Sequence, residues 1–127
     1  MTIAYWCVLI AGLMPVFTVI FAKAGGRNMD NHEPRTWLEK QSGFRRRADY
    51  AHRNHFEAFP FFAAAVIIAQ QLHVAQASIN ALAILFIVAR LAYTAFYLID
   101  KASLRSLAWF VGHLSIIALF VLSGMAH

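Results

Sequence analysis

One cysteine, three prolines and six acidic residues are all that 127 positions contain of these types. With Cys7 alone, an intrachain disulfide is excluded. Cys7 lies in an apolar run, where it reads as a small buried hydrophobe rather than a reactive thiol. Metal ligands are equally scarce. His52 and His55 stand at i and i+3, but Asp49 is the only carboxylate nearby besides Glu57, so no metal is expected. There is no glycine-rich phosphate loop, no Ser-His-Asp pattern, no internal repeat and no low-complexity tract. Charge as a whole is thin at 13%, roughly half of what soluble domains carry.

What is abundant is hydrocarbon. The hydrophobic fraction is 61%, against about 45–50% in soluble domains. A chain this small has room for one domain, residues 1–127, and a small domain buries only a modest share of its apolar surface. The expected solvent is therefore lipid. The net charge of +5 does not point to nucleic acid, because the basic residues fall between apolar spans. That pattern fits membrane topology or anionic lipid headgroups.

Four spans are expected, over about 3–22, 49–72, 78–99 and 106–125. The first has no basic stretch before it and is too long for a signal-peptide core, so it reads as a transmembrane helix. Pro15 and Pro60 fall inside helices, as membranes allow. Residues 23–49 read as a polar loop with a short helical turn over 36–41. The second span opens near Ala48 or Asp49, and Arg45, Arg46 and Arg47 serve topology and surface charge. Of eleven Lys and Arg, ten lie in or beside the first and third loops, Arg90 being the exception. The positive-inside rule places those loops in the cytoplasm and both termini outside. The class is thus an all-α, multi-pass membrane protein built as a four-transmembrane-helix bundle.

The polar residues inside the spans carry the chemistry. Arg53, Asn54 and Glu57 share one side of a helix by their spacing. Glu57 and Arg90 lie roughly 10 and 14 Å from the basic edge. Each costs about 2.5–3.5 kcal/mol in mid-helix, so a buried ion pair between them is expected, as a register lock, a ligand contact or both. Arg90, Tyr93, Thr94 and Tyr97 form one stripe at i, i+3, i+4 and i+7. Arg105 and Ser106 open the last span, where a guanidinium and a helix N-terminus together suit an anion. His113 reads as a hydrogen-bonded interior histidine.

These residues resemble the MAPEG family, the membrane-associated proteins in eicosanoid and glutathione metabolism, in its bacterial form. Ala51-His52-Arg53-Asn54-His55-Phe56-Glu57 is similar to the family's Ala-His-x-Asn-x-x-Glu signature, and an aromatic-Pro apolar helix follows it. Glu33-Pro34-Arg35 resembles the Asn-Pro-Arg loop of bacterial members. Arg90, Tyr93 and Tyr97 match the pattern of the third helix, and Arg105-Ser106 that of the fourth. The resemblance implies a homotrimer in the bacterial inner membrane, with glutathione as co-substrate in a cleft near the cytoplasmic face. It implies that Arg53, Asn54, Glu57, Tyr93 and Tyr97 bind glutathione and that Arg105 and Ser106 sit at its sulfur. Glutathione carries two carboxylates and an ammonium, which guanidinium groups and one acid complement.

The implied activity is a glutathione transferase or peroxidase acting on small apolar electrophiles or lipid hydroperoxides. The alternative, which the family also contains, is a non-catalytic membrane ligand-binding or scaffold protein. Tyr50 stands where prostaglandin-synthase-like members have arginine, Trp109 where they have tyrosine, and Tyr93 where they have histidine.

Overall fold

A computed structural model describes residues 1–126, and those residues contain helices and connections only. Four long helices and one short one follow in order: α1 (Ile3–Lys23), α2 (Pro34–Glu39), α3 (Gly43–Gln71), α4 (Gln76–Leu98) and α5 (Ala102–Met125). Three of them, α1, α4 and α5, are long and apolar enough to cross a membrane. The remaining long helix, α3, carries its polar residues in its first half.

Each helix begins and ends for a local reason. Thr2 caps α1 by accepting the Tyr5 N–H at 3.3 Å. Pro34 starts α2, where its missing N–H has no helical partner to lose. α3 ends in a left-handed His73, with Val74 N–H on the Ala69 carbonyl and His73 N–H on that of Gln70. α4 ends the same way at Asp100, with Lys101 N–H on Phe96 and Asp100 N–H on Tyr97. This pattern satisfies the last carbonyls and reverses the chain within a few residues. It is why α4 and α5 pack as a tight antiparallel pair.

α1 pairs with α3 and α4 with α5, and the two pairs close on one core. Small residues let the backbones approach: Ala4, Cys7 and Ala11 on α1 meet Ala58, Ala65 and Ala69 on α3. Phe62 and Phe86 stack at 3.9 Å between ring centres in the middle of this core. Gly112 on α5 leaves room for Phe86 and Ala89, whose atoms lie 3.6–3.7 Å from where a Cβ would stand. The large side chains that remain, such as Phe17, Val88, Leu91, Phe110 and Leu114, point outward and exposed. An apolar rim around an alanine-rich core is the inverse of a soluble bundle, and it suits lipid as solvent.

The two ends of the bundle differ chemically. At one, Gln70 and Gln76 exchange amide hydrogen bonds at 2.9 Å, Thr2 Oγ1 donates to Gln70, and Asn80 Oδ1 accepts from Gln76 and from the Ala4 N–H. An uncharged clasp therefore joins α1, α3 and α4. At the other end the first turns of α3 are helical from Gly43, not from Ala48 or Asp49. Arginine is a good helix former, and these arginines are used. Arg45 Nη1 donates to the Ala22 carbonyl at 3.0 Å and Arg47 Nη2 to the Leu98 carbonyl at 3.2 Å, capping the last turns of α1 and α4. Arg46 donates only within its own neighbourhood, to Gln41.

Arg47→Ala is therefore expected to lower stability in detergent by about 1.5–3 kcal/mol, the worth of a hydrogen bond to a charged group. Arg46→Ala, an exposed site, should change it by about 0.5 kcal/mol or less. Thermal unfolding of the two variants side by side checks this.

Candidate functional site

The basic end of the bundle opens into a cavity of about 240 Å³ between α3, α4 and α5, lined by Asn54, Tyr93, Tyr97, Arg105, Ser106, Trp109 and Phe110. The α1–α4 groove along Leu13, Phe17 and Leu91, by contrast, is lined almost wholly by apolar atoms. Helical spacing builds this cavity. Tyr93 and Tyr97 lie one turn apart on α4, and Arg105 and Trp109 one turn apart on α5. The Asp100 reversal sets the first turns of α5 against the last turn of α4. Arg105 and Ser106 are thus already inside α5, which starts at Ala102 with Lys101 as its cap residue.

A line of cation and aromatic contacts forms one wall. The Arg105 guanidinium lies 4.5 Å over the Tyr97 ring, Tyr97 meets Tyr93 edge-on at 5.6 Å, and the Arg90 guanidinium lies 4.3 Å over Tyr93. Trp109 stacks on His113 at 3.8 Å, and His113 Nδ1 donates to the Trp109 carbonyl at 3.1 Å, so this indole has a fixed seat. Asn54 Oδ1 is buried with no hydrogen-bond partner among the described residues.

Five of the seven ligand-site residues expected from sequence come together here: Asn54, Tyr93, Tyr97, Arg105 and Ser106. Arg53 and Glu57 do not line the cavity and stand on the exposed side of α3. Arg53 is held one turn back, with Nη2 3.0 Å from the carboxylate of Asp49, which is itself 2% exposed.

The expected Glu57–Arg90 ion pair is not formed. The only ion pair among the described residues is Arg53–Asp49. Arg90, 1% exposed, instead gives Nη2 and Nε to His55 Nδ1 at 2.8 and 3.3 Å. His55 and Glu57 are two residues apart, so roughly 200° apart around the helix. The one that faces α4 is His55.

His52 turns elsewhere, with Nδ1 donating to the Pro15 carbonyl of α1 at 2.8 Å. The two histidines therefore serve different helices. Sequence reasoning did not assign Trp109 and Phe110 to the cavity or His55 to Arg90. The spacing of Trp109 from Arg105 was the available signal for the first.

Because Glu57 is not the partner of Arg90, Glu57→Gln should leave thermal unfolding within about 0.5 kcal/mol of the parent. Arg90→Ala should cost about 3–5 kcal/mol, by opening a cavity under Tyr93 and stranding the His55 acceptor. Unfolding in detergent by heat or denaturant distinguishes the two; a loss at Glu57 equal to that at Arg90 contradicts this arrangement.

Comparison with known proteins bears on the same chain. No curated protein and no solved structure gives a significant match. The sequence model of the MAPEG family matches residues 3–125. That span holds all the long helices and every residue lining the cavity. The chain belongs to the MAPEG family.

Proposed function

We propose that this chain crosses the membrane four times, assembles as a homotrimer and binds glutathione in the Arg105 cavity to act on small apolar substrates. The observation that carries the reading is the meeting of Arg105, Ser106, Tyr93, Tyr97 and Asn54 in one cavity at the basic end of an apolar bundle. Guanidinium and hydroxyl groups suit the carboxylates and sulfur of glutathione. The unpaired Asn54 Oδ1 suits one of its N–H donors. Family membership supports a glutathione-related membrane activity.

The trimer is supported by size. At about 240 Å³ the cavity is smaller than the roughly 300–1,000 Å³ of typical ligand sites. A second copy would enlarge it, and Glu57 and the half-exposed Arg53, which Asp49 holds on the outer side of α3, would face such a shared site. The fourth span would be α3, whose 29 residues extend roughly 43 Å and so exceed a hydrocarbon core even with its first turns outside. Ten cations at one end support a cytoplasmic face for the cavity, in a bacterial inner membrane, with both termini on the other side.

In this reading the glutathione S–H gives its proton to solvent. Arg105 and Ser106 hold the thiolate by charge and hydrogen bond. The thiolate attacks an electrophilic carbon, the C–S bond forms, and the leaving group departs with the bonding pair. With a lipid hydroperoxide the thiolate takes the distal oxygen and releases an alcohol; a second glutathione then yields the disulfide and water. The apolar partner reaches the cavity from the lipid.

Glutathione titration of detergent-purified protein should saturate, and a chloronitrobenzene should be conjugated. Arg105→Ala should lower kcat/KM about 100-fold, as loss of a donor to developing charge does. Asn54→Ala should mainly weaken binding. Saturable binding with no turnover toward electrophile or hydroperoxide would favour the non-catalytic ligand-binding or scaffold reading, and absence of binding would overturn both.

A further inference from the structure

The contacts of His55 leave its protons no choice. Thr94 Oγ1 donates to the Arg90 carbonyl at 2.8 Å, so its hydrogen is spent. The same oxygen lies 2.8 Å from His55 Nε2 and must accept there, so Nε2 carries the proton. Nδ1 therefore has its lone pair free, and this is the atom that receives Arg90 Nη2. The imidazole is neutral, protonated on Nε2, and fixed at both nitrogens. Beyond it lies the cavity wall, with Arg90 over Tyr93, Tyr93 against Tyr97, and Tyr97 under Arg105. His55 also meets Tyr93 edge-on at 6.2 Å.

We propose that His55 is a positioning residue: it holds Arg90 beneath Tyr93 and thereby sets the Tyr93–Tyr97–Arg105 wall on which the ligand rests. His55 does not itself line the cavity. The other side chains near Arg90 do not replace it. Thr94 is engaged with the backbone, Tyr93 presents its ring face, and Glu57 forms no ion pair. A carboxylate at position 55 would hold Arg90 more tightly, but would cancel the charge that attracts it to the Tyr93 face. A neutral acceptor holds the guanidinium and leaves that charge intact.

The inference rests on the proposed glutathione site, so its test has one readout with ligand and one without. His55→Asn places an oxygen where Nδ1 stands and keeps the acceptor for Arg90. His55→Gln places an amide nitrogen where Nε2 stands, keeping the donor to Thr94 and losing the acceptor. Full-length protein in detergent is titrated with glutathione. Separately, ring-¹³C-tyrosine spectra are recorded without ligand, and Tyr93 is assigned among the four tyrosines with Tyr93→Phe.

The Gln variant should raise Kd about tenfold, as loss of a hydrogen bond to a charged group does, and should shift the Tyr93 resonance. The Asn variant should restore both to near the parent values at a similar Tm. His55→Leu, which likewise offers Arg90 no acceptor, should shift both readouts in the direction of Gln and serves as the test if the Gln variant does not fold; Thr94→Val, which removes the Nε2 contact that the Asn variant also lacks, should leave both near the parent. Asn and Gln variants that match each other, or that both match the parent, overturn the proposal. If the parent itself binds no glutathione, the site reading fails, and the Tyr93 resonance alone decides for or against the positioning role.

Discussion

A guanidinium buried among apolar helices must find acceptors inside the protein, because lipid offers none. Arg90 is the largest such group here and is 1% exposed. Its Nε and Nη2 share a neutral acceptor, His55, and its plane lies over the π face of Tyr93, while Nη1 is buried with no hydrogen-bond partner among the described residues. Full desolvation of a charge is costly, and attraction to a partner charge repays it only with good geometry and further hydrogen bonds. Here a closed set of contacts with Thr94 and the Arg90 carbonyl uses each donor of the imidazole and hydroxyl once. That set ties α3 to α4 at the height where the cavity begins, so the aromatic wall inherits its position from the burial of one cation.

The same demand shapes both ends of the bundle. Helix termini leave carbonyls and N–H groups unpaired, and short connections cannot supply every partner. Neighbouring helices do so instead. Arg45 and Arg47 close the ends of α1 and α4, and Asn80 receives an N–H from the first turn of α1. His52 supplies a donor to the Pro15 carbonyl and so ties α3 to the middle of α1. Residues that read as topology signals are therefore also joints. Two of the arginines at the basic end thus close helices as well as carry charge.

The cavity sits where these joints leave space. The Asp100 reversal brings Arg105 and Ser106 to the last turn of α4, and the stacking of Trp109 on His113 closes the far wall. Arg53 and Glu57 remain on the outer side of α3. The cavity of one chain is thus polar and organised but small.

Composition and hydropathy were sufficient for an all-helical membrane protein, because lipid demands long apolar helices and the demand is written residue by residue. The motif residues in α4 and α5 were equally legible, since positions one turn apart on a helix share a face wherever the helix lies. Three features were decided only by tertiary structure. The start of α3 was hidden because Arg45 and Arg47 look like loop residues until the carbonyls they cap are in place. The partner of Arg90 was hidden because spacing along α3 does not say which face turns to α4; opposite charge suggested Glu57, and the rotation of the helix selected His55. The Phe110 wall of the cavity depends on how α5 leans on its neighbours. Sequence periodicity specifies a face, and only packing specifies what that face meets.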